Sequence, residues 1–131
     1  MNARKWVTVA LVAAASVVLA GCADLTIVSL THSPQNPTIK DKITFAADVK
    51  NIGTKRAGPS TLGFKVGGET FPVEYQVPAL NPGETYTVRR DENLSVAQNY
   101  RNTVTADLKH QVPESNERNN QKTEDYTVRP R

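Results

Sequence analysis

A single cysteine, Cys22, stands among 131 residues, and that scarcity excludes much chemistry. One thiol makes neither an intramolecular disulfide nor a paired-cysteine metal site, so the fold must be held by packing alone. His32 and His110 are the only histidines, too few for a three-histidine zinc centre. No histidine is spaced with a serine and a carboxylate as a nucleophilic triad would require, so enzymatic activity is not expected. An excess of one charge is missing as well, with 16 Lys and Arg against 13 Asp and Glu. Nucleic-acid binders usually concentrate basic charge on one face, and no such partner is expected here. Beyond residue 23 no segment keeps a helical period over a useful length.

The one long apolar run is residues 6–20, an uncharged stretch of Val, Ala and Leu behind Arg4 and Lys5. Its length falls short of the roughly twenty residues of a membrane-spanning helix. A cationic start, an apolar middle and small residues at the end form the pattern of an export signal. Leu19-Ala20-Gly21-Cys22 resembles the lipobox of bacterial lipoproteins. That resemblance implies removal of residues 1–21 as a signal peptide and lipidation of Cys22, which becomes an anchor and not a catalyst. Lipoproteins of this kind carry two or three chains on the cysteine, and two signals suffice for stable anchoring. The expected address is the bacterial cell envelope. In enteric-type lipoproteins an aspartate directly after the cysteine favours the inner membrane; here Ala23 holds that place and Asp24 follows, which favours the outer membrane facing the periplasm. The remaining residues 22–131 make one small domain, with 14 basic and 13 acidic residues once Arg4 and Lys5 are gone.

From Leu25 the sequence alternates. Leu25 and Ile27 lead to Leu30 and the Ser33-Pro34-Gln35-Asn36-Pro37 turn, where two prolines forbid a continuing helix or central strand. Ile43, Phe45, Ala47 and Val49 mark a half-buried strand that closes at Asn51-Ile52-Gly53. Leu62, Phe64 and Val66 run into Gly67-Gly68, a hairpin dipeptide, and Phe71, Val73, Tyr75 and Val77 return. Pro72 cannot donate to a ladder, which places this strand at a sheet edge. Asn81-Pro82-Gly83 is a turn, Thr85 to Val88 a strand, and residues 91–99 the least patterned stretch, expected to be a loop. Tyr100, Asn102, Val104, Ala106 and Leu108 alternate again, and Tyr126 and Val128 mark a last strand. Seven strands with turns at short intervals give an all-β, seven-stranded antiparallel, immunoglobulin-like (fibronectin-like) β-sandwich.

Five blocks then carry a family likeness. Asp24-Leu25-Thr26-Ile27, Ser33-Pro34 with Asn36-Pro37, Val49-Lys50-Asn51-Ile52-Gly53-Thr54, Val77-Pro78-Ala79-Leu80-Asn81-Pro82-Gly83, and Val104-Thr105-Ala106-Asp107 with residues 114–120 resemble CARDB, the cell-adhesion-related domain found in bacteria. The resemblance implies the same sandwich, used on envelope and secreted proteins as a spacer, adhesion or binding module, with no catalytic residues. With one such domain read in this sequence, a pure spacer role is not the expectation.

Asp107, Glu114, Asn116, Glu117 and Asn119 form the densest polar set, and their oxygens are weak candidates for calcium. The alternative is a structural loop, in which such side chains bond the local backbone. Tyr75, Tyr86, Tyr100 and Tyr126 are expected to be partly buried, with Tyr100 as a tyrosine corner. If seven strands alternate up and down, Lys55 and Arg56, Asn81-Pro82 and residues 114–120 share the anchored end, where Lys55 and Arg56 meet anionic headgroups. Gly67-Gly68, residues 91–99 and the C-terminal residues 129–131 lie at the far end. Asp91, Glu92 and Asn93 are therefore the candidate partner-binding residues, and the edge strand 71–77 is a second surface. The expected function is non-catalytic: a lipid-anchored module for protein-protein interaction, adhesion or assembly of a surface structure, with a carbohydrate or peptidoglycan binder as the alternative.

Overall fold

A computed structural model describes residues 21–114 and 120–131. Seven strands appear in order: β1 (Leu25–Ser33), β2 (Ile43–Asn51), β3 (Ser60–Lys65), β4 (Val73–Val77), β5 (Thr85–Glu92), β6 (Gln98–Thr105) and β7 (Gln121–Val128). They form two sheets, β1-β2-β5 and β4-β3-β6-β7, with every strand pair antiparallel. This is the immunoglobulin-like sandwich that the alternation predicts.

Alternation sets the inward faces. Ile43, Phe45, Ala47 and Val49 of β2 are buried against Leu62 and Phe64 of β3, Val104 of β6 and Val128 of β7. Phe45 touches both Phe64 and Tyr126 with tilted rings, at centroid separations of 6.3 and 5.4 Å. Such tilted contacts match the edge-to-face preference of aromatic quadrupoles. In β1 the register slips between Ile27 and Ser29. That bulge turns Val28 outward and lets Leu30 face inward, three residues after Ile27 instead of two.

Three boundaries differ from the sequence reading. The loop expected over residues 91–99 shrinks to 93–97, because β5 continues through Asp91 and Glu92 and β6 begins at Gln98. Periodicity failed there for a physical reason: the inward positions after Val88 are Arg90 and Glu92, charged residues that face the interior. The returning strand starts at Val73, so Phe71 lies outside it and is 78% exposed. Pro72 precedes β4 and does not interrupt its open edge, although β4 does stand at the sheet edge. Finally, β6 stops at Thr105 because Asp107 adopts φ 48°, a left-handed conformation that ends the strand before Leu108.

Registers fix the two ends. Leu25 pairs with Asn51 and Lys50 with Thr85, whereas Ser33 pairs with Thr44 and Ile43 with Glu92. The Cys22 end therefore holds the β2–β3, β4–β5 and β6–β7 connections. The β3–β4 and β5–β6 loops and residues 129–131 lie opposite, as alternation of seven strands requires.

Candidate functional site at the two ends of the sandwich

At the end where the described chain begins, the β2–β3 loop closes around Cys22. The amides of Thr54 and Lys55 donate to the Cys22 carbonyl, at 2.9 and 3.4 Å, and Ile52 N–H donates to the Asp24 carbonyl at 2.8 Å. The hub is Asn51, fully buried at the end of β2. Its Oδ1 accepts from the amides of Asp24 and Gly53, and its Nδ2 donates to the carbonyls of Lys55 and Leu80. All four bonding positions of one buried amide are thus used, which joins three segments distant in sequence. This explains the Asn51-Ile52-Gly53 block physically: Asn51 makes the knot, and Gly53 leaves room for residues 22–24. In the sequence the tripeptide reads as the close of a strand and as part of a family-like block, and neither reading shows the knot.

Cys22 is partly exposed and opens on a cleft of about 390 Å³ lined by Lys55, Arg56, Gly58, Gln111, Val112 and Pro113 among others. Lys55 and Arg56 are exposed and form no ion pair with a described residue. Ile52, next along the loop, is 50% exposed.

The calcium candidates divide. Asn116, Glu117 and Asn119 lie outside the described residues. Asp107 is buried, and its two carboxylate oxygens accept from the amides of Gln111 and Val112 at 2.7 and 3.1 Å. Glu114 accepts from Leu25 N–H and from Asn120 Nδ2. Both carboxylates tie loops to backbone amides, as the structural-loop reading expects. Among the described residues no three His, Cys, Asp or Glu side chains come together as a metal site.

At the opposite end the candidate partner residues are engaged within the fold. Asp91 accepts from Thr44 Oγ1 at 2.7 Å, Glu92 from Arg90 Nε at 3.1 Å, and Asn93 donates to the Asp41 carbonyl at 3.3 Å. The exposed apolar groups here are Phe71 and Val96, 78% and 55% accessible. Nothing in the alternation pointed to them: Phe71 read as an inward strand residue and Val96 fell in the unpatterned stretch.

Two charged contacts close the open sides of the sandwich. Arg90, buried on β5, donates to both carboxylate oxygens of Glu69 in the β3–β4 loop, at 2.8 and 2.6 Å, and to the Phe64 carbonyl. Those hydrogen bonds hold the Glu69 carboxyl below its ordinary value against the opposing effect of desolvation. On the other side His32 Nδ1 lies 2.9 Å from Glu124 Oε1, linking β1 to β7. Burial pushes the Glu124 carboxyl up, and the bond to His32 partly counters it.

Tyrosines follow expectation with one exception. Tyr126 is buried and donates to Asn102 Oδ1, with burial raising its phenol strongly. Tyr100 donates to the Val96 carbonyl four residues upstream at 2.8 Å, which is a tyrosine-corner contact. Tyr75 packs edge-on against Phe64. Tyr86, by contrast, is 38% exposed; it lies near the start of β5, an edge strand of its sheet. Beside β6 and β7 a shallow depression of about 640 Å³ is lined by Asn99, Tyr100, Arg101, Asp125, Tyr126 and Thr127. Its polar groups bond one another, Arg101 to Asp125 and Thr127 to Asn99.

The same architecture occurs in solved structures. A CARDB domain from Pyrococcus furiosus, described as a complex with di-metal ions, is 25% identical, with a TM-score of 0.73 over 82% of this chain and 89% of that one. A domain of a candidate cell surface protein from Methanosarcina acetivorans is 26% identical, with a TM-score of 0.68 over 82% of this chain and 93% of that one. Part of β-glucosidase 3B from Thermotoga neapolitana shares the fold alone, at 16% identity and a TM-score of 0.54, over 82% of this chain and 16% of that enzyme. No curated protein matches in sequence. The CARDB family model matches residues 22–124, nearly the whole described sandwich, and the chain belongs to the CARDB family of cell-surface, adhesion-related domains.

Proposed function

We propose that this protein is a lipid-anchored, non-catalytic module of the bacterial cell envelope that holds a partner protein at the end of the sandwich opposite Cys22. Residues 1–21 act as the signal peptide, Cys22 carries the lipid, and the outer membrane facing the periplasm is the favoured site. The observation that carries the reading is the polarity of the fold. Cys22 is tied into one end, and the exposed Phe71 and Val96 stand at the other. Strands such as β2, nine residues long, separate the two ends by about 30 Å at the usual rise per strand residue. That distance carries the far loops clear of the headgroup layer.

Photo-crosslinking in intact cells tests this. A photoreactive residue at Phe71 should give a discrete protein adduct, and one at Asn81, beside the anchored end, should not. Adducts only from Asn81 would overturn the polarity. The second reading, binding of carbohydrate or peptidoglycan, is favoured by the depression beside Arg101 and Asp125. Saturable glycan binding abolished by Arg101→Ala, with no adduct from Phe71, would put that reading first.

A further inference from the structure

The lipid is one contact with the membrane; the loop around Cys22 supplies a second. We infer that residues 52–56 form a membrane-contact surface, with Ile52 entering the interface and Lys55 and Arg56 meeting the phosphates of anionic lipids. This inference rests on the proposed attachment of the chain to a membrane at Cys22.

The loop cannot move independently of the attachment point. Thr54 and Lys55 donate to the Cys22 carbonyl, Ile52 donates to the Asp24 carbonyl, and the buried Asn51 side chain holds the amide of Gly53 and the carbonyl of Lys55. A membrane reached through Cys22 is therefore reached by residues 52–56 as well, because only Ala23 and Asp24 separate Cys22 from β1 and two extended residues span only about 7 Å.

The chemistry of the exposed groups fits a lipid interface. Ile52 is half exposed although an isoleucine gains by leaving water. Lys55 and Arg56 are exposed and without an ion-pair partner among the described residues, and the cleft between them and Cys22 also has Val112 and Pro113 in its wall. Cationic heads above an apolar floor match the boundary between phosphates and acyl chains. Basic residues near an anionic surface each add a favourable contribution that falls off within a Debye length. The orientation that follows keeps the domain upright and its far loops pointing outward.

The test uses the protein as the cell processes it, purified from membranes and reconstituted in vesicles of phosphatidylethanolamine and phosphatidylglycerol. Trp6, the only tryptophan, leaves with residues 1–21 on processing, so Ile52→Trp gives one reporter at the loop and Phe71→Trp one at the far end, with Trp6→Phe in both keeping any unprocessed chain silent. With brominated acyl chains, the reporter at position 52 should shift to the blue and lose most of its emission, and the reporter at position 71 should be unchanged. Lys55→Glu with Arg56→Glu should reduce the quenching at position 52 and remove its dependence on the phosphatidylglycerol fraction. Equal, negligible quenching at both positions overturns the inference. The intact mass of the same sample reports the anchor separately. Lipid on Cys22 without quenching at position 52 leaves the anchor and removes the surface; quenching without lipid retains the surface and removes the lipidation.

Discussion

Gly53 lies flat against the peptide units that follow Cys22. A methyl group on Gly53 would stand 2.6 Å from the Asp24 nitrogen and 2.7 Å from the Ala23 carbonyl carbon, in addition to clashing with the Cys22 carbonyl oxygen. All three obstacles are backbone, which cannot rotate away as a side chain does. Gly53→Ala is therefore expected to cost about 1–3 kcal/mol, the usual range for overpacking. The loss should be concentrated at the N-terminal end. Faster amide exchange at Ile52 and Thr54, with core amides such as that of Val104 little changed, is the result to look for.

Asn51→Asp probes the knot itself. The substitution keeps the acceptor toward the amides of Asp24 and Gly53 but turns the donor to the Lys55 and Leu80 carbonyls into a second oxygen. A buried acceptor then faces two carbonyls without a proton between them. The expected loss is about 3 kcal/mol or more, since a buried charge with unmet partners is among the most damaging changes. Urea denaturation of the two proteins measures it, and an unchanged midpoint would remove Asn51 from its central role.

The Arg90–Glu69 contact predicts a pH dependence. Glu69 has a folded carboxyl below its ordinary value because Arg90 donates to it, so its contribution is complete above the unfolded pKa of about 4.3 and is lost as pH falls through the lower folded value. Glu69→Gln should cost about 1–2 kcal/mol at pH 7, moderated by the partial exposure of the carboxylate, and the difference from the parent should narrow toward pH 3. Glu124 works the other way. Its raised carboxyl means that the native state binds the extra proton first, so stability falls as pH rises through the window between the unfolded and folded values. In Glu124→Gln that opposing slope is gone, and stability should drop more steeply on acidification than in the parent. Urea midpoints at pH 7, 5 and 3 separate the two.

Tyr100→Phe and Tyr126→Phe remove hydroxyls with different surroundings. Tyr100 loses a bond to an exposed carbonyl, which costs about 1 kcal/mol, and water can replace the donor. Tyr126 leaves the buried Asn102 Oδ1 with the Gly67 amide as its remaining donor, at 3.1 Å, and the expected loss is about 1–2 kcal/mol. Thermal unfolding of the pair should therefore rank Tyr126→Phe as the more damaging. The reverse order would mean that the corner at Val96 matters more than the interior bond.

Alternation alone determined the sandwich. Ile43, Phe45, Ala47 and Val49 fall at every second residue because each strand buries one face, and turn residues mark where strands stop. The strand count indicated which loops share an end with Cys22 on the condition that each strand reverses the one before it, and the observed registers meet that condition. The apolar run before Cys22 was legible for a similar reason, as its composition and length are local properties.

Tertiary structure decided what depends on partners distant in the chain. Arg90 and Glu92 point inward on β5, a placement that hydrophobicity argues against and that becomes tolerable because Arg90 finds Glu69 and the Phe64 carbonyl across the sheets and bonds Glu92 beside it. Asp107 and Glu114 read either as weak calcium candidates or as loop-bonding carboxylates, and only the fold shows which backbone amides reach them. Phe71 and Val96 read as ordinary members of a strand and a loop, and their exposure follows from where β4 and β6 begin. A sequence records which groups prefer to leave water. Whether a charged group finds its complement, and whether an apolar one finds cover, is settled by contacts between segments that only the closed fold brings together.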